Sequence, residues 1–235
     1  MEHRVNELGQ PIGLPLPHWQ PPSPPRRIVH VGRWCRLEPL SAEQHGRELY
    51  EAFSLDTEGR NWTYLPDGPF PSESAFLSWV KSAAASDDPL FFAIVEQAAD
   101  RAVGVASYQR ISPATGSIEV GHIHYSPLLQ RKPAGTEAMY LMMKHVFELG
   151  YRRYEWKCDA LNAASRAAAE RLGFTFEGIF RQATVYKGRN RDTAWYSVID
   201  REWPALERAF VRWLDPGNFD ADGRQRRRLQ ELRDQ

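Results

Sequence analysis

Cysteine is scarce in this chain. Cys35 and Cys158 are the only two among 235 residues, and neither belongs to a Cys-x-x-Cys pair. That excludes a disulfide framework and a cysteine zinc site, and makes a reduced, cytoplasmic setting the simplest expectation. Net charge is lacking too. Thirty Lys and Arg balance thirty Asp and Glu, so no global field selects nucleic acid or an anionic membrane as partner, and any anion site must be local. No apolar run approaches bilayer-spanning length, and the opening residues Met1 to Pro11 lack the basic-then-apolar layout of a secretory signal. There is no internal repeat and no metal-ligand spacing, so no metal is expected.

What is present points to a soluble globular chain: 42% hydrophobic and 26% charged residues can build one sizeable core. Residues 1–30 form an arm around the cluster Gln20-Pro-Pro-Ser-Pro-Pro-Arg26, where proline fixes φ and removes amide donors, so little regular structure is expected. Residues 31–214 hold the alternating elements of one domain. Residues 215–235 form a tail of mixed charge, read as solvated rather than as a nucleic-acid arm.

Within the domain, Trp34 to Glu38 reads as a strand. Ser41 caps a helix through Phe53, and Ser72 opens a second helix to about Ala85. Between them lies the aromatic loop Asn61 to Phe70. Leu90 to Glu96, Ala102 to Arg110 and Ser117 to Tyr125 form a strand meander. Lys132 to Leu149 is a helix with Pro133 in its first turn and Gly150 past its end, apolar on more than one side. Tyr154, Trp156 and Cys158 alternate with Arg153, Glu155 and Lys157 in a half-buried strand. A short helix from Asn162 ends at Gly173. Thr175 to Lys187 and Asp192 to Asp200 flank a Gly-Arg-Asn-Arg turn as a hairpin, and Trp203 to Trp213 closes the domain as a helix. The order predicts an α/β (α+β) domain with a mixed central sheet of about seven strands flanked by helices.

Two segments carry chemistry. In the first, the strand ending at Tyr125 runs through Gln130, Arg131 and Lys132 into the start of the Lys132 helix. Free amides and the dipole at a helix start suit a phosphate, and two basic side chains add local charge; an ordinary strand–helix connection reads equally well. In the second, Asn162 and Ser165 lie about one helical turn apart, placed to meet a ligand or simply to cap the helix.

In order and spacing, these segments resemble the GNAT acetyltransferase superfamily, and within it the ribosomal-protein-alanine (RimJ/RimL-like) branch. The likeness rests on Gln130-Arg-Lys-Pro-Ala-Gly-Thr-Glu-Ala138, Asn162-x-x-Ser165, Leu172-Gly-Phe174, Glu177-Gly178 with Arg181, and Lys187-Gly-Arg-Asn-Arg-Asp192 with Tyr196-Ser197. It covers about Arg33 to Trp203. The resemblance implies a GNAT fold splayed in a V between the family's fourth and fifth strands, here Ser117 to Tyr125 and Arg153 to Asp159. It implies transfer of acetyl from acetyl-CoA to a primary amine, such as a protein or peptide N-terminal α-amine or a small amino compound. The alternative is a CoA-binding regulatory domain without turnover. A homodimer is left open.

The resemblance also assigns residues. Cofactor contacts fall on Ile123, His124, Tyr125, Gln130, Arg131, Lys132, Ala134, Gly135, Thr136, Asn162 and Ser165. The strand amides near Ile123 and His124 would meet the oxyanion. Pro133 departs from the family's second loop glycine and offers no amide, so the loop relies on the amides of Arg131, Lys132, Ala134 and Gly135. Ala169 stands where many members carry a tyrosine acid, and Ser165 takes the place of the branch's thiolate acid. Glu119 matches a common glutamate and is the first choice of base. His122 and His124, expected by alternation on the opposite face, are the other candidates. Trp62, Tyr64 and Phe70 are expected as an aromatic rim on the acceptor side, with His122 and Asp192 completing the acceptor contacts. Cys158 reads as a small apolar core residue.

Overall fold

The computed structural model describes residues 3–233; Met1, Glu2, Asp234 and Gln235, the outer ends of the arm and tail, lie outside the described residues. In the arm, β1 (Arg4–Val5) and β2 (Pro11–Ile12) pair as a small exposed ladder. Pro22 and Pro25 are buried. The Trp19 ring lies over the Gly116 turn, where an added Cβ would stand 2.8 Å from it.

The remaining strands form one sheet: β3 (His30–Val31), β4 (Cys35–Pro39), β5 (Leu90–Glu96), β6 (Arg101–Ser112), β7 (Ser117–Tyr125), β8 (Arg153–Asp159), β9 (Thr175–Tyr186) and β10 (Arg189–Ile199). Their order is β3-β4-β5-β6-β7-β8-β10-β9, eight strands rather than about seven, because His30 and Val31 add a short edge. Among the described residues only β7 and β8 pair in parallel; every other neighbour is antiparallel.

Helices cover both faces, and β5 alternates between them. Phe91, Ala93 and Val95 pack with Leu49 and Phe53 of α1 (Ala42–Phe53) and Phe76 and Val80 of α2 (Glu73–Ala85). Phe92 and Ile94 pack on the other side, with Met139, Met142 and Val146 of α3 (Pro133–Glu148) and with α5 (Trp203–Leu214). Ser41 and Ser72 cap α1 and α2, each accepting from an amide three residues on, as short polar side chains do at helix starts. α4 (Ala163–Arg171) lies beside β8 and β9.

Two expectations are corrected. The β9–β10 turn is Lys187-Gly188, not Gly188 to Arg191: both central residues have positive φ, +48° and +68°, as a two-residue turn matched to the strand twist requires. The charged tail is not wholly solvated. Leu229 and Leu232 of α6 (Leu229–Arg233) are buried against α5, and Trp213 donates to Gln225 at 2.8 Å.

Candidate active site

The parallel register of β7 and β8 runs from Ser117–Arg153 to Val120–Trp156 and stops there, although β7 continues to Tyr125 and β8 to Asp159. The strands part at this point, opening a fork in the middle of the sheet. A bulge lies at the same place. Against β6 the register passes from Ser107–Gly121 to Val105–His124, so His122 and Ile123 oppose Ala106 alone, and His122 takes φ +48°. A bulge breaks simple alternation. Val105 faces α1 and α2, and so do its partner His124 and, through the pairing with Gln109, Glu119. The histidines therefore share the face of Glu119 rather than opposing it.

On the other face, α3 starts beside the end of β7. Tyr125 donates to the Gly135 carbonyl at 2.7 Å, and an added Cβ at Gly135 would stand 2.9 Å from the Tyr125 ring. Only glycine lets strand end and helix start meet this closely. Pro133 occupies the first helical position, where no amide is needed. Lys132 and Gly135 donate into local turn bonds at 3.3 and 3.2 Å, whereas the amides of Arg131 and Ala134 have no backbone acceptor among the described residues. The free donors are thus a subset of the four expected. Gln130 reaches the Tyr125 carbonyl and Asn61, and Lys132 pairs with Glu96 at 2.8 Å. Buried Thr136 accepts from Arg171 of α4 at 3.1 Å, which links the two helices.

Asn162 caps α4, its side-chain oxygen accepting from the Ser165 amide at 3.1 Å. The Trp156 indole donates to Ser165 Oγ at 3.0 Å. That bond takes up an oxygen lone pair, so the hydroxyl proton remains available to another acceptor. The neighbouring Cys158 is buried, and burial raises its thiol pKa, which keeps it an unreactive thiol.

Glu119 sits at the crotch of the fork with 1% exposure. Both its oxygens accept from Arg110 at 2.7 Å, Lys157 lies 2.9 Å away, and Gln109 donates as well. Lys157 also pairs with Glu155 at 2.7 Å and stands 3.9 Å over the Trp195 ring. With its lone pairs engaged and no access, Glu119 holds the strands where they diverge; this arrangement speaks against it as the base.

Of the expected rim, Trp62 is buried, 5% exposed, with Phe53, Phe70 and His124 around it. It belongs to the core because Gly68, at φ +64°, brings the loop backbone onto its ring. Phe70 is half-buried against Phe76 and Trp79. Tyr64 reaches across to the Leu161 carbonyl at 3.3 Å, beside α4. Asp192 accepts from the Gln182 amide at 2.8 Å through its carboxylate and from the Ala160 amide at 2.8 Å through its carbonyl, and borders a depression on the hairpin with Phe180 and Arg181.

Several residues of this region escaped the sequence reading. Lys187 donates to the carbonyls of Trp62 and Asp67 at 2.7 and 3.0 Å, and Arg189 to that of Thr63 at 2.6 Å. The hairpin tip thus clasps the aromatic loop. A small pocket beneath is lined by Trp62, Pro66, Asp67, Trp79, His122 and His124. Glu137, on α3, accepts from the amides of Arg33, Trp34 and Cys35 at 2.6–2.8 Å and so ties β4 to that helix. Gly188, a glycine suited to a two-residue turn, was the one local signal; the rest are contacts between distant segments.

A forked sheet with a helix start at one side and an aromatic pocket at the other defines an acetyltransferase fold, and the family comparison agrees. The acetyltransferase (GNAT) domain matches residues 35–175, and the chain belongs to that family. A GCN5-related N-acetyltransferase from Brucella melitensis is 51% identical, with TM-score 0.92 over 94% of this chain and 100% of that one. A probable acetyltransferase of the GNAT family from Chromobacterium violaceum is 42% identical, with TM-score 0.77 over 83% and 98%. The ribosomal-protein-serine acetyltransferase of Escherichia coli (strain K12) is 30% identical over 105 residues, which span 44% of this chain and 58% of that relative. No helix among the described residues is long and apolar enough to cross a membrane.

Proposed function

We propose that this chain transfers acetyl from acetyl-CoA to a primary amine, with the N-terminal α-amine of a protein or peptide as the preferred acceptor and a small amino compound as the alternative. The observation that carries the reading is the fork: β7 and β8 part at Val120 and Trp156, next to the open amides of Arg131 and Ala134. The residues fit the donor. Those amides, Arg131 and Lys132 would hold the pyrophosphate, and Asn162, whose side-chain NH2 stays free, would steady the pantetheine arm. Bound there, acetyl-CoA supplies an activated acyl carbon at the fork.

The chain's own groups then do the rest. The Ile123 amide in the bulge meets the developing oxyanion, the His124 amide being turned to its partner Val105 on β6, and Ser165 offers its hydroxyl proton to the sulfur as it leaves. Likeness to a ribosomal-protein-serine acetyltransferase favours an α-amine on a protein acceptor in the cytoplasm. The test is an acceptor panel with acetyl-CoA, read as free thiol: peptides starting with Ser or Ala, spermidine and free amino acids. Fastest turnover on the peptides supports the reading. Release from spermidine alone would replace the acceptor class, and no release from any amine would overturn transfer itself.

A further inference from the structure

The α1–α2 face of the fork carries two histidines whose surroundings set them apart. His124 is 3% exposed, stacked 3.9 Å on Phe53 and edge-on to Trp62 at 4.0 Å, with both ring nitrogens buried and unpartnered. Burial pulls its pKa down to about 3, and it serves as an aromatic filler of the core.

His122 differs. Its Nδ1 lies 3.2 Å from Ser107 Oγ, and that Oγ lies 3.1 Å from the Gly121 carbonyl oxygen. A carbonyl only accepts and Ser107 has one proton, so both contacts are hydrogen bonds at once only when that proton goes to Gly121 and Oγ accepts from His122 Nδ1. That arrangement puts the ring proton on Nδ1 and leaves Nε2 a bare lone pair. No hydrogen-bond partner for Nε2 appears among the described residues, and Nε2 is not among the nitrogens sealed inside the protein. The ring borders the pocket with Trp62, Asp67 and Trp79, two residues beyond Val120, where β7 leaves β8.

We propose that His122 Nε2 removes the proton from the acceptor ammonium, and that Ser107 is the positioning residue that fixes the His122 tautomer. This rests on the acetyltransferase reading above. The protons balance. One leaves the ammonium for Nε2 and then water. The freed nitrogen pair forms the bond to the acetyl carbonyl carbon, and the C–S bond breaks with its electrons on sulfur. A second ammonium proton ends on that sulfur, and the third stays on the amide.

Burial is the main cause lowering the His122 pKa, with Arg110 adding to it and Asp67 and Glu119 opposing it. Lys157 pairs with Glu119, Lys187 binds the Asp67 carbonyl, and His124 adjoins the same pocket. A lowered value keeps the imidazole neutral, and so able to accept, into more acidic solution than a free histidine would. The acid limb of kcat/KM should lie correspondingly low.

The test uses His122→Gln and Ser107→Ala in the full chain, with acetyl-CoA and a Ser-starting peptide, beside hydroxylamine, an amine already unprotonated at neutral pH. His122→Gln should lower the peptide rate by about a hundredfold, abolish the acid limb, and lower the enzyme-dependent hydroxylamine rate, after the uncatalysed reaction with the thioester is subtracted, much less than the peptide rate. Ser107→Ala should cause a smaller fall. Nitrogen-15 spectra of the histidines should place the His122 proton on Nδ1 in the parent and on both nitrogens in turn in Ser107→Ala. An active parent whose His122→Gln variant keeps its peptide rate and pH profile would overturn the base, as would a proton fixed on Nε2. A parent that binds acetyl-CoA but acetylates neither peptide nor hydroxylamine defeats the transferase reading and the base role together.

Discussion

The two sides of the fork are built in different ways. The α3–α4 side is local: a strand end, a helix start with proline at its first position, and a cap whose asparagine and serine lie three residues apart. The α1–α2 side is assembled from afar. Its pocket draws on the loop after α1, the bulge in β7 and the turn between β9 and β10, tied by Lys187 and Arg189 to carbonyls more than a hundred positions away. A nucleotide-bearing donor needs backbone amides at fixed spacing, which a short stretch of chain provides. A pocket for an amine needs walls, which only packing provides. One side of the site can vary in substrate while the other keeps its cosubstrate.

Substitutions can sharpen or break this contrast. The largest effect is expected at Trp62, whose ring fills the acceptor-side core. Trp62→Ala should cost about 3–5 kcal/mol in urea unfolding; a stable variant with only a raised acceptor KM would return Trp62 to an exposed rim. Next comes Glu119, the buried carboxylate between Arg110 and Lys157. Glu119→Gln leaves Arg110 without its carboxylate and Lys157 with Glu155 alone, and should lower stability by about 3 kcal/mol, yet keep the acid limb of kcat/KM. Loss of that limb would make Glu119 the base.

On the cofactor side, Ser165→Ala should reduce kcat by about a hundredfold while acetyl-CoA affinity, measured by calorimetry, changes little. The smallest effect is expected at the clasp. Lys187→Ala removes two bonds to the aromatic loop, a loss of about 1 kcal/mol, and should raise the acceptor KM several-fold without touching acetyl-CoA binding. A change in acetyl-CoA affinity instead would mean that the two sides are not separate.

The same contrast explains what the sequence disclosed. Element order, both serine caps, the Pro133 helix start and the Asn162 cap were legible because each depends on neighbours in the chain. The strand count missed the two-residue edge at His30 and the small β1–β2 ladder of the arm. Alternation failed at His122 because one extra residue in β7 turns the following side chains over, and nothing in Gly-His-Ile-His announces a bulge. Trp62 read as a rim because aromatics in a loop look exposed until Gly68 folds the backbone over the ring. The hold of the Gln182 amide on the Asp192 carboxylate across the hairpin was equally out of reach of the sequence. Ser107 and Trp156 carried no motif, and Lys187, though part of the hairpin motif, gave no sign of its hold on the aromatic loop, since the partners of all three lie on other strands or loops.

The central claim is that donor and acceptor meet at the parting of β7 and β8 from opposite faces. Amide NMR of the isotope-labelled chain titrated with acetyl-CoA tests it most directly. The account predicts the strongest shifts at Arg131, Ala134, Ile123 and Ser165, with Lys187 and Thr63 little moved until an acceptor peptide is added. Shifts concentrated on the β9–β10 depression around Phe180 and Asp192, with Arg131 and Ala134 unmoved, would contradict it.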